Sequence, residues 1–357
     1  MVSGPQTFLY VVGTRPNFMK TAPVLTEMRR RRPTDRHVLV HTGQHYDDEM
    51  SRVFFDQLQM PPPDHYLGAG GGSPGGQTAR VIEGIEHLLL ADRPDVVLVP
   101  GDVTSTLAAA LAAAKLDIPV AHIEAGLRSF DRTMPEELNR LLTDQLSEFL
   151  FTHSPEAREN LLREGIDESR IHFVGNTMID TLTRLSSSDS PPSELGSARP
   201  YLLVTLHRPA LVDGPLLDSA LDALEQITTM DVVFPVHPRT RHAIERSGRQ
   251  PSRMKLIPPV GYLEFLALQR GAAAVLTDSG GVQEETSFLG VPCFTLRDNT
   301  ERPVTISRGT NVLLGLEPER IAEIPGLLED AVPRPNQIEG WDGHAAERVA
   351  DVLTAWG

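Results

Sequence analysis

Short apolar runs alternate with helix-period stretches along almost all of this 357-residue chain, and that alternation constrains the fold more than any other feature. In the first half the strand-like runs are 8–12, 38–41, 96–99, 120–123, 149–152 and 171–174. Amphipathic stretches at 20–31, 50–58, 78–90 and 106–115 separate them. Such alternation predicts a parallel sheet with helices on both faces. It breaks at Ser186-Ser187-Ser188-Asp189-Ser190-Pro191-Pro192-Ser193, whose composition suits a solvated linker. It resumes with runs at 201–205, 232–235, 255–257, 273–277, 293–296 and 311–314. The expected fold class is α/β, with two Rossmann-like doubly wound domains in tandem. An N-terminal domain covers 1–185, a linker 186–199 and a C-terminal domain 200–340. A last helix within 341–357 packs on either of them. Ligands of such sheets sit beyond the carboxyl ends of the strands, so two facing domains predict a central cleft. The patch 68–76, Gly-Ala-Gly-Gly-Gly-Ser-Pro-Gly-Gly, reads as a mobile loop.

Composition excludes several classes. The net charge of −15 argues against nucleic acid as a partner, because a phosphate backbone needs a lysine and arginine surplus. Cys293 is the lone cysteine, which excludes an intrachain disulfide and a cysteine metal site. Its apolar neighbours predict a buried, inert thiol. No signal-peptide pattern opens the chain, and no apolar run reaches the roughly 18 residues of a membrane span. A cytoplasmic protein without membrane contacts is expected.

Chemistry concentrates where strands end. Thr277-Asp278-Ser279-Gly280-Gly281 joins a strand to a helix. Glycines there let the backbone approach an anion, and the first amides of the helix point at it. Glu285, one turn on, suits a ribose diol; the alternative makes Ser279 an N-cap and Glu284 and Glu285 dipole partners. Gly13-Thr14-Arg15-Pro16-Asn17-Phe18-Met19-Lys20 forms a second such junction. Arg15 and Lys20 suit a diphosphate, or serve as a surface arginine and a snorkelling lysine. The dinucleotide fingerprint G-x-G-x-x-G does not occur there, so no nicotinamide cofactor is implied. Asp102 and Glu124 follow the runs at 96–99 and 120–123, and Glu136 starts a helix. Carboxylates meeting in one cleft separate into acid and base roles. Alternatively Asp102 caps a helix and Glu136 pairs with Arg140 at i+4. Glu124 ends an apolar strand, where a carboxylate requires a partner. His207 and His237 end strands of the second half, suited to a phosphate or a leaving group. Arg302, in Arg297-Asp298-Asn299-Thr300-Glu301-Arg302-Pro303, forms a lip of the same site. No cluster with metal-ligand spacing occurs, so metal and cofactor are both expected to be absent.

As an ordered set, several motifs resemble the non-hydrolysing UDP-N-acetylglucosamine 2-epimerases. They are Gly13-Thr14-Arg15-Pro16, Thr42-Gly43-Gln44-His45, Gly101-Asp102, His122-Ile123-Glu124-Ala125-Gly126-Leu127-Arg128, Pro135-Glu136-Glu137-Leu138-Asn139-Arg140, Val174-Gly175-Asn176-Thr177, His207-Arg208, Thr277-Asp278-Ser279-Gly280-Gly281 and Thr300-Glu301-Arg302-Pro303. The resemblance implies the GT-B fold, two Rossmann-like domains facing a central cleft. It also implies inversion of C2 of a UDP-N-acetylhexosamine. UDP leaves C1 as the C2 proton is lost, giving a 2-acetamidoglucal. A proton then returns to the other face and UDP re-adds. By this likeness Asp102, Glu124 and Glu136 form the acid/base group. His207 stabilises departing UDP with Arg15, Ser279, Gly280 and Gly281. Glu285 binds ribose, and Phe265 packs near uracil. A homodimer is the family expectation.

The chain also departs from the pattern. Pro209 replaces a second arginine of many bacterial members, Tyr46 a basic residue, and Gly76-Gln77 an Arg-Gln pair. Those positions serve activation by a second substrate molecule, so weak or absent activation is expected. Tyr46-Asp47 and the glycine-rich patch are more similar to the branch holding archaeal enzymes and diacetamido-glucuronate 2-epimerases. Val304 and Pro100 also differ, which leaves the sugar open. The alternatives are a hydrolysing epimerase releasing ManNAc and UDP, a GT-B glycosyltransferase, and a non-catalytic UDP-sugar sensor.

Overall fold

A computed structural model of the chain describes residues 4–43, 55, 57–185, 199–249, 251–329 and 338–356, apart from the side chain of Arg15. The segment Gln44–Asp48 and most of the stretches expected as a helix at 50–58 and a linker at 186–199 lie outside the described residues. The chain divides into two compact units, Met1–Arg184 with Glu339–Gly357, and Leu185–Ile338.

In the first unit the order is β1 (Thr7–Val12), α1 (Arg15–Arg31), β2 (Arg36–His41), β3 (His65–Tyr66), α2 (Pro74–Ala91), β4 (Val96–Pro100), α3 (Thr104–Lys115), β5 (Val120–Ile123), α4 (Pro135–Leu146), β6 (Phe149–Thr152), α5 (Pro155–Arg163), β7 (Ile171–Phe173) and α6 (Thr177–Leu185). The strands form one sheet in the order β3-β2-β1-β4-β5-β6-β7. Every neighbouring pair is parallel, with Leu9 opposite both Val38 and Val97. Strands covered on both faces need apolar side chains at every position, and β4 is buried throughout. Helix α3 fits because it is alanine-rich: Ala108, Ala109, Ala112 and Ala113 pack with Val11, Val97 and Val99. The two-residue edge strand β3 was not expected; both residues are exposed and too few to show a period.

The patch expected as one loop at 68–76 is corrected. Pro74-Gly75-Gly76 forms the first turn of α2, with Ser73 Oγ accepting the Gly76 amide at 3.2 Å. Arg80 donates back to the carbonyls of Ala69 and Gly70, each at 3.2 Å. Proline at a first helical position was the missed signal.

The second unit runs β8 (Tyr201–Thr205), α7 (Pro209–Val212), α8 (Leu216–Glu225), β9 (Asp231–Pro235), α9 (Pro238–Ser247), β10 (Met254–Ile257), α10 (Tyr262–Gly271), β11 (Ala274–Thr277), α11 (Gly280–Leu289), β12 (Cys293–Thr295), α12 (Val304–Ser307), β13 (Asn311–Leu313) and α13 (Ile324–Glu329). Its sheet is also parallel, in the order β10-β9-β8-β11-β12-β13. Val204, Phe234, Leu276 and Phe294 form the centre of its core. Cys293 is buried there, and burial pushes its thiol up to about 11. Among the described residues no helix is long and apolar enough to cross a membrane.

Helix α14 (Ala345–Trp356) belongs to the first unit. Trp341 donates its indole N–H to the His153 carbonyl at 3.0 Å. Asp180 on α6 accepts the amides of Ala345 and Ala346 at 3.1 and 2.7 Å, capping α14. Burial outweighs those two bonds and pushes the Asp180 carboxyl up to about 6. The folded state therefore holds this proton where the unfolded chain has released it. Its contribution is full below the ordinary aspartate range and is lost as pH rises through about 6. Thermal unfolding should show the margin of wild type over Asp180→Asn shrinking between about pH 4 and pH 6. A constant margin contradicts that assignment.

Candidate functional site

In a doubly wound sheet the crevice opens where strand order reverses. In the first unit that point lies between β1 and β4, and in the second between β8 and β11. The expected site residues gather around these two points.

In the first unit two residues, Gly13 and Thr14, separate the end of β1 from the start of α1. Asn17 Oδ1 accepts the Gly13 amide at 3.0 Å, while Asn17 Nδ2 donates to the Pro100 carbonyl at 3.1 Å, spanning the crevice. Gly13 has no room for a side chain, since a Cβ would lie 2.4 Å from Ser105 Oγ. One turn along α1, Lys20 Nζ lies 2.7 Å from Glu124 Oε2, with the two side chains only 6% and 4% exposed. Lys20 is therefore not a snorkelling surface residue. A Cβ on Gly101 would lie 3.1 Å from the same ammonium. Glu124 adopts a φ of 72°, left-handed backbone that costs a side-chain-bearing residue about 1–2 kcal/mol. Strain of this kind persists where the surroundings over-determine the geometry.

Asp102 follows β4, and its side chain is 20% exposed. Its carboxylate pairs with the Arg140 guanidinium, and its carbonyl accepts Asn139 Nδ2 at 2.8 Å. The cap of α3 is Val103, without a side-chain bond, so Asp102 does not cap that helix. Glu136, half-buried, occupies the first turn of α4. Residues 136, 139 and 140 share one face of that helix, so Glu136 stands with the groups that hold Asp102. Its neighbour Glu137 is buried and accepts Arg140 Nη1 at 2.6 Å and the amides of Ser129 and Phe130 at 2.9 Å.

In the second unit the ends of β9, β8, β11 and β12 carry His237, His207, Asp278–Gly281 and Arg297–Arg302 in that order. Asp278 Oδ2 accepts the amides of His207 and Arg208 at 2.8 and 2.7 Å, and Oδ1 lies 3.0 Å from His207 Nδ1. Burial pushes the Asp278 carboxyl up, but the His207 imidazole and those amides outweigh it and hold it below the usual range. His207, 39% exposed, is thereby oriented with Nε2 away from Asp278. The rings of His207 and His237 are 5.7 Å apart. His237 Nδ1 accepts the Arg239 amide at 3.2 Å, which places its proton on Nε2. Burial and the nearby His207 push the His237 imidazole down.

Helix α11 begins after Ser279, whose side chain makes no capping bond. Ser279 thus occupies the N-cap position without a side-chain bond to the helix. No acidic residue occupies the first turn, so its amides keep their partial positive charge. Arg302 lies against them: a Cβ on Gly280 would meet its Nη1 at 2.6 Å. Glu284 Oε1 holds Arg302 Nε at 2.9 Å, and Glu301 Oε2 holds Nη1 at 3.3 Å. Gly281 is half-buried beside Gly280. Glu285 is buried and accepts Tyr262 Oη at 3.0 Å and Gln269 Nε2 at 2.5 Å. Phe265, half-buried on α10, packs on the cluster of Leu203, Leu268 and Val275. Arg15 opens α1, and its side chain lies outside the described residues.

A family model described as UDP-N-acetylglucosamine 2-epimerase matches residues 27–354. A UDP-N-acetylglucosamine 2-epimerase of Methanococcus maripaludis is 44% identical, over 96% of this chain and 97% of that protein. The chain belongs to the UDP-N-acetylglucosamine 2-epimerase family. A UDP-2,3-diacetamido-2,3-dideoxy-D-glucuronate 2-epimerase of Pseudomonas aeruginosa is also 44% identical, over 97% and 98% of the two chains. The crystal structure of a Methanocaldococcus jannaschii UDP-GlcNAc 2-epimerase, in complex with UDP-GlcNAc and UDP, matches with a TM-score of 0.89. It is 40% identical and covers 98% of this chain and 100% of its own. The fold is the GT-B type of these epimerases.

Five polar residues of this epimerase have roles that the sequence did not show: Asn17, Asn139 and Asp278 received none, Arg140 appeared only as a partner for Glu136, and Glu284 only as a dipole partner. Each works by holding another group, and such partners are invisible until the fold joins distant segments. Glu284 had one available signal. Adjacent helical acids point in different directions, so two neighbours cannot both face one ligand.

The Lys20–Glu124 pair gives a direct check. Lys20→Met removes the ammonium facing a buried carboxylate and should cost about 3–5 kcal/mol in urea unfolding. The double variant with Glu124→Leu should cost less than the single one. A double variant as damaging as the sum of both changes contradicts the pairing.

Proposed function

We propose that this epimerase inverts C2 of a UDP-N-acetylhexosamine, converting UDP-GlcNAc to UDP-ManNAc without a cofactor. The carbon–oxygen bond at C1 breaks and UDP carries away the electron pair. A base removes the C2 proton, leaving a 2-acetamidoglucal. An acid then delivers a proton to the opposite face of C2 as UDP re-forms the bond to C1. The observation that carries this reading is the group of carboxylates at the carboxyl edge of the first sheet, with Glu124 set against Lys20 at 2.7 Å and Asp102 against Arg140. A transfer enzyme needs an acceptor site; a proton-moving enzyme needs several oriented acids.

The reading divides the work. Asp102, Glu124 and Glu136 exchange protons with C2, Lys20 adds positive charge at the same edge, and Arg15 serves the diphosphate. Ser279, Gly280, Gly281 and Arg302 receive the diphosphate, supported by the side-chain-free start of α11. His207, fixed by Asp278, stabilises departing UDP, and His237 offers a further N–H donor. Glu285 takes the ribose diol, and Phe265 lies near uracil.

Proton NMR in D2O tests this directly. UDP-GlcNAc without acceptor should take up deuterium at C2 and approach a mixture of two UDP-sugars. Asp102→Asn, Glu124→Gln and Glu136→Gln should each lose about 10²–10⁴-fold in rate. Free N-acetylmannosamine as the product would establish the hydrolysing reaction instead. Absence of C2 exchange with intact UDP binding would overturn the epimerase reading. UDP-2,3-diacetamido-2,3-dideoxy-D-glucuronate belongs in the same assay, since relatives acting on the two sugars are equally similar in sequence.

A further inference from the structure

We propose that His122 and Asp144 are a buried positioning pair that holds the Asp102 turn and the Glu124 turn in register, an inference that rests on the functional reading above. Neither side chain is exposed at all. His122 lies on β5, two residues before Glu124. Its Nδ1 is 2.6 Å from Asp144 Oδ1, and its Nε2 is 2.7 Å from the Gly101 carbonyl oxygen. A carbonyl only accepts, so Nε2 carries a proton and donates it. The second Asp144 oxygen accepts the Gly126 amide at 3.1 Å and lies 2.7 Å from Arg128 Nη2. One carboxylate therefore reaches both turns. It acts through the imidazole on the peptide before Asp102, and directly on the peptide two residues after Glu124.

Both turns need such a hold. Gly101, Glu124 and Gly126 have φ of 63°, 72° and 81°, which regular helix or sheet bonding does not sustain. Gly126 is confined further, because a Cβ there would lie 2.4 Å from the Ala157 carbonyl oxygen. Charge is balanced locally: Arg128 continues to Glu164 through bonds of 2.7 and 2.5 Å. Burial pushes the Asp144 carboxyl up, yet His122 and Arg128 outweigh it and hold it below the usual range. Helix α4 adds leverage. Residues 136, 140 and 144 fall at i, i+4 and i+8 on one face, so Glu136, the partner of Asp102 and the hub itself ride on one rigid element.

Two substitutions at one position separate positioning from stability. In His122→Gln the amide nitrogen takes the place of Nε2 and keeps a donor for the Gly101 carbonyl. In His122→Asn the shorter amide reaches only the place of Nδ1, and that donor is lost. Both variants give up one buried bond, so their melting temperatures should fall alike. Their rates of C2 exchange with UDP-GlcNAc should not. The Gln variant should keep kcat within about tenfold of wild type while the Asn variant falls about 100-fold, with KM changed little in either. Equal kcat in the two variants, or wild-type kcat in His122→Asn, overturns the proposal. If His122→Asn does not fold, Asp144→Asn replaces it, and a kcat equal to wild type overturns the proposal in the same way. Amide hydrogen exchange judges the pair without turnover. Residues 100–103 should lose protection in the Asn variant and keep it in the Gln variant, which retains the donor to Gly101, and equal protection overturns the hold of His122 on the Asp102 turn. Wild-type protein that exchanges no C2 proton while passing the amide test defeats the functional reading and leaves the positioning pair standing.

Discussion

A buried ammonium facing a buried carboxylate fixes the carboxyl edge of the first unit. Lys20 and Glu124 meet at 2.7 Å, with almost none of either side chain in solvent. Neither charge is tolerated at that depth without the other, so the pair ties α1 to the turn after β5. Strand β4 runs between them, and its last carbonyl is held by Asn17 from α1. Three segments distant in sequence thus end at one point with fixed geometry. Acid–base chemistry needs that rigidity, because the rate falls steeply when reacting groups drift by an ångström.

The second unit reaches the same result with different residues. Asp278, one residue beyond β11, gathers two amides and an imidazole from the end of β8. Asp144 does the equivalent in the first unit, with one amide and one imidazole. In both cases a buried carboxylate spends its lone pairs on groups of a neighbouring segment rather than on a ligand. Arg302 follows the same rule: Glu284 and Glu301 hold it while its guanidinium lies at the start of α11.

Much of this was legible in the sequence. Parallel strands covered on both faces must be continuous apolar runs, so their positions could be read to within a residue or two. Candidate site residues were legible where they closely follow a strand, as at Asp102, Glu124, His207 and Ser279. What escaped were the partners. Asp144 sits in the last turn of a helix, and Asn139 and Arg140 look like ordinary surface residues of an amphipathic helix. Their roles depend on which strand lies beneath that helix, and strand order is not written in any local pattern. The edge strand β3 escaped for a different reason, since two exposed residues carry no periodicity. The start of α2 was obscured by glycine content, although Ser73 and Pro74 announce a helix.

The account rests on a division of labour, with the nucleotide gripped at the start of α11 and the protons moved at the edge of the first sheet. Calorimetric titration with UDP tests it most directly, comparing wild type, Gly280→Ala and Asp102→Asn. A methyl on Gly280 would lie 2.6 Å from Arg302 Nη1 and displace the guanidinium from the amides. The account predicts that Gly280→Ala weakens UDP at least about tenfold, or about 1.4 kcal/mol, while Asp102→Asn leaves it unchanged. Unchanged affinity in Gly280→Ala, or a comparable loss in both variants, would contradict it.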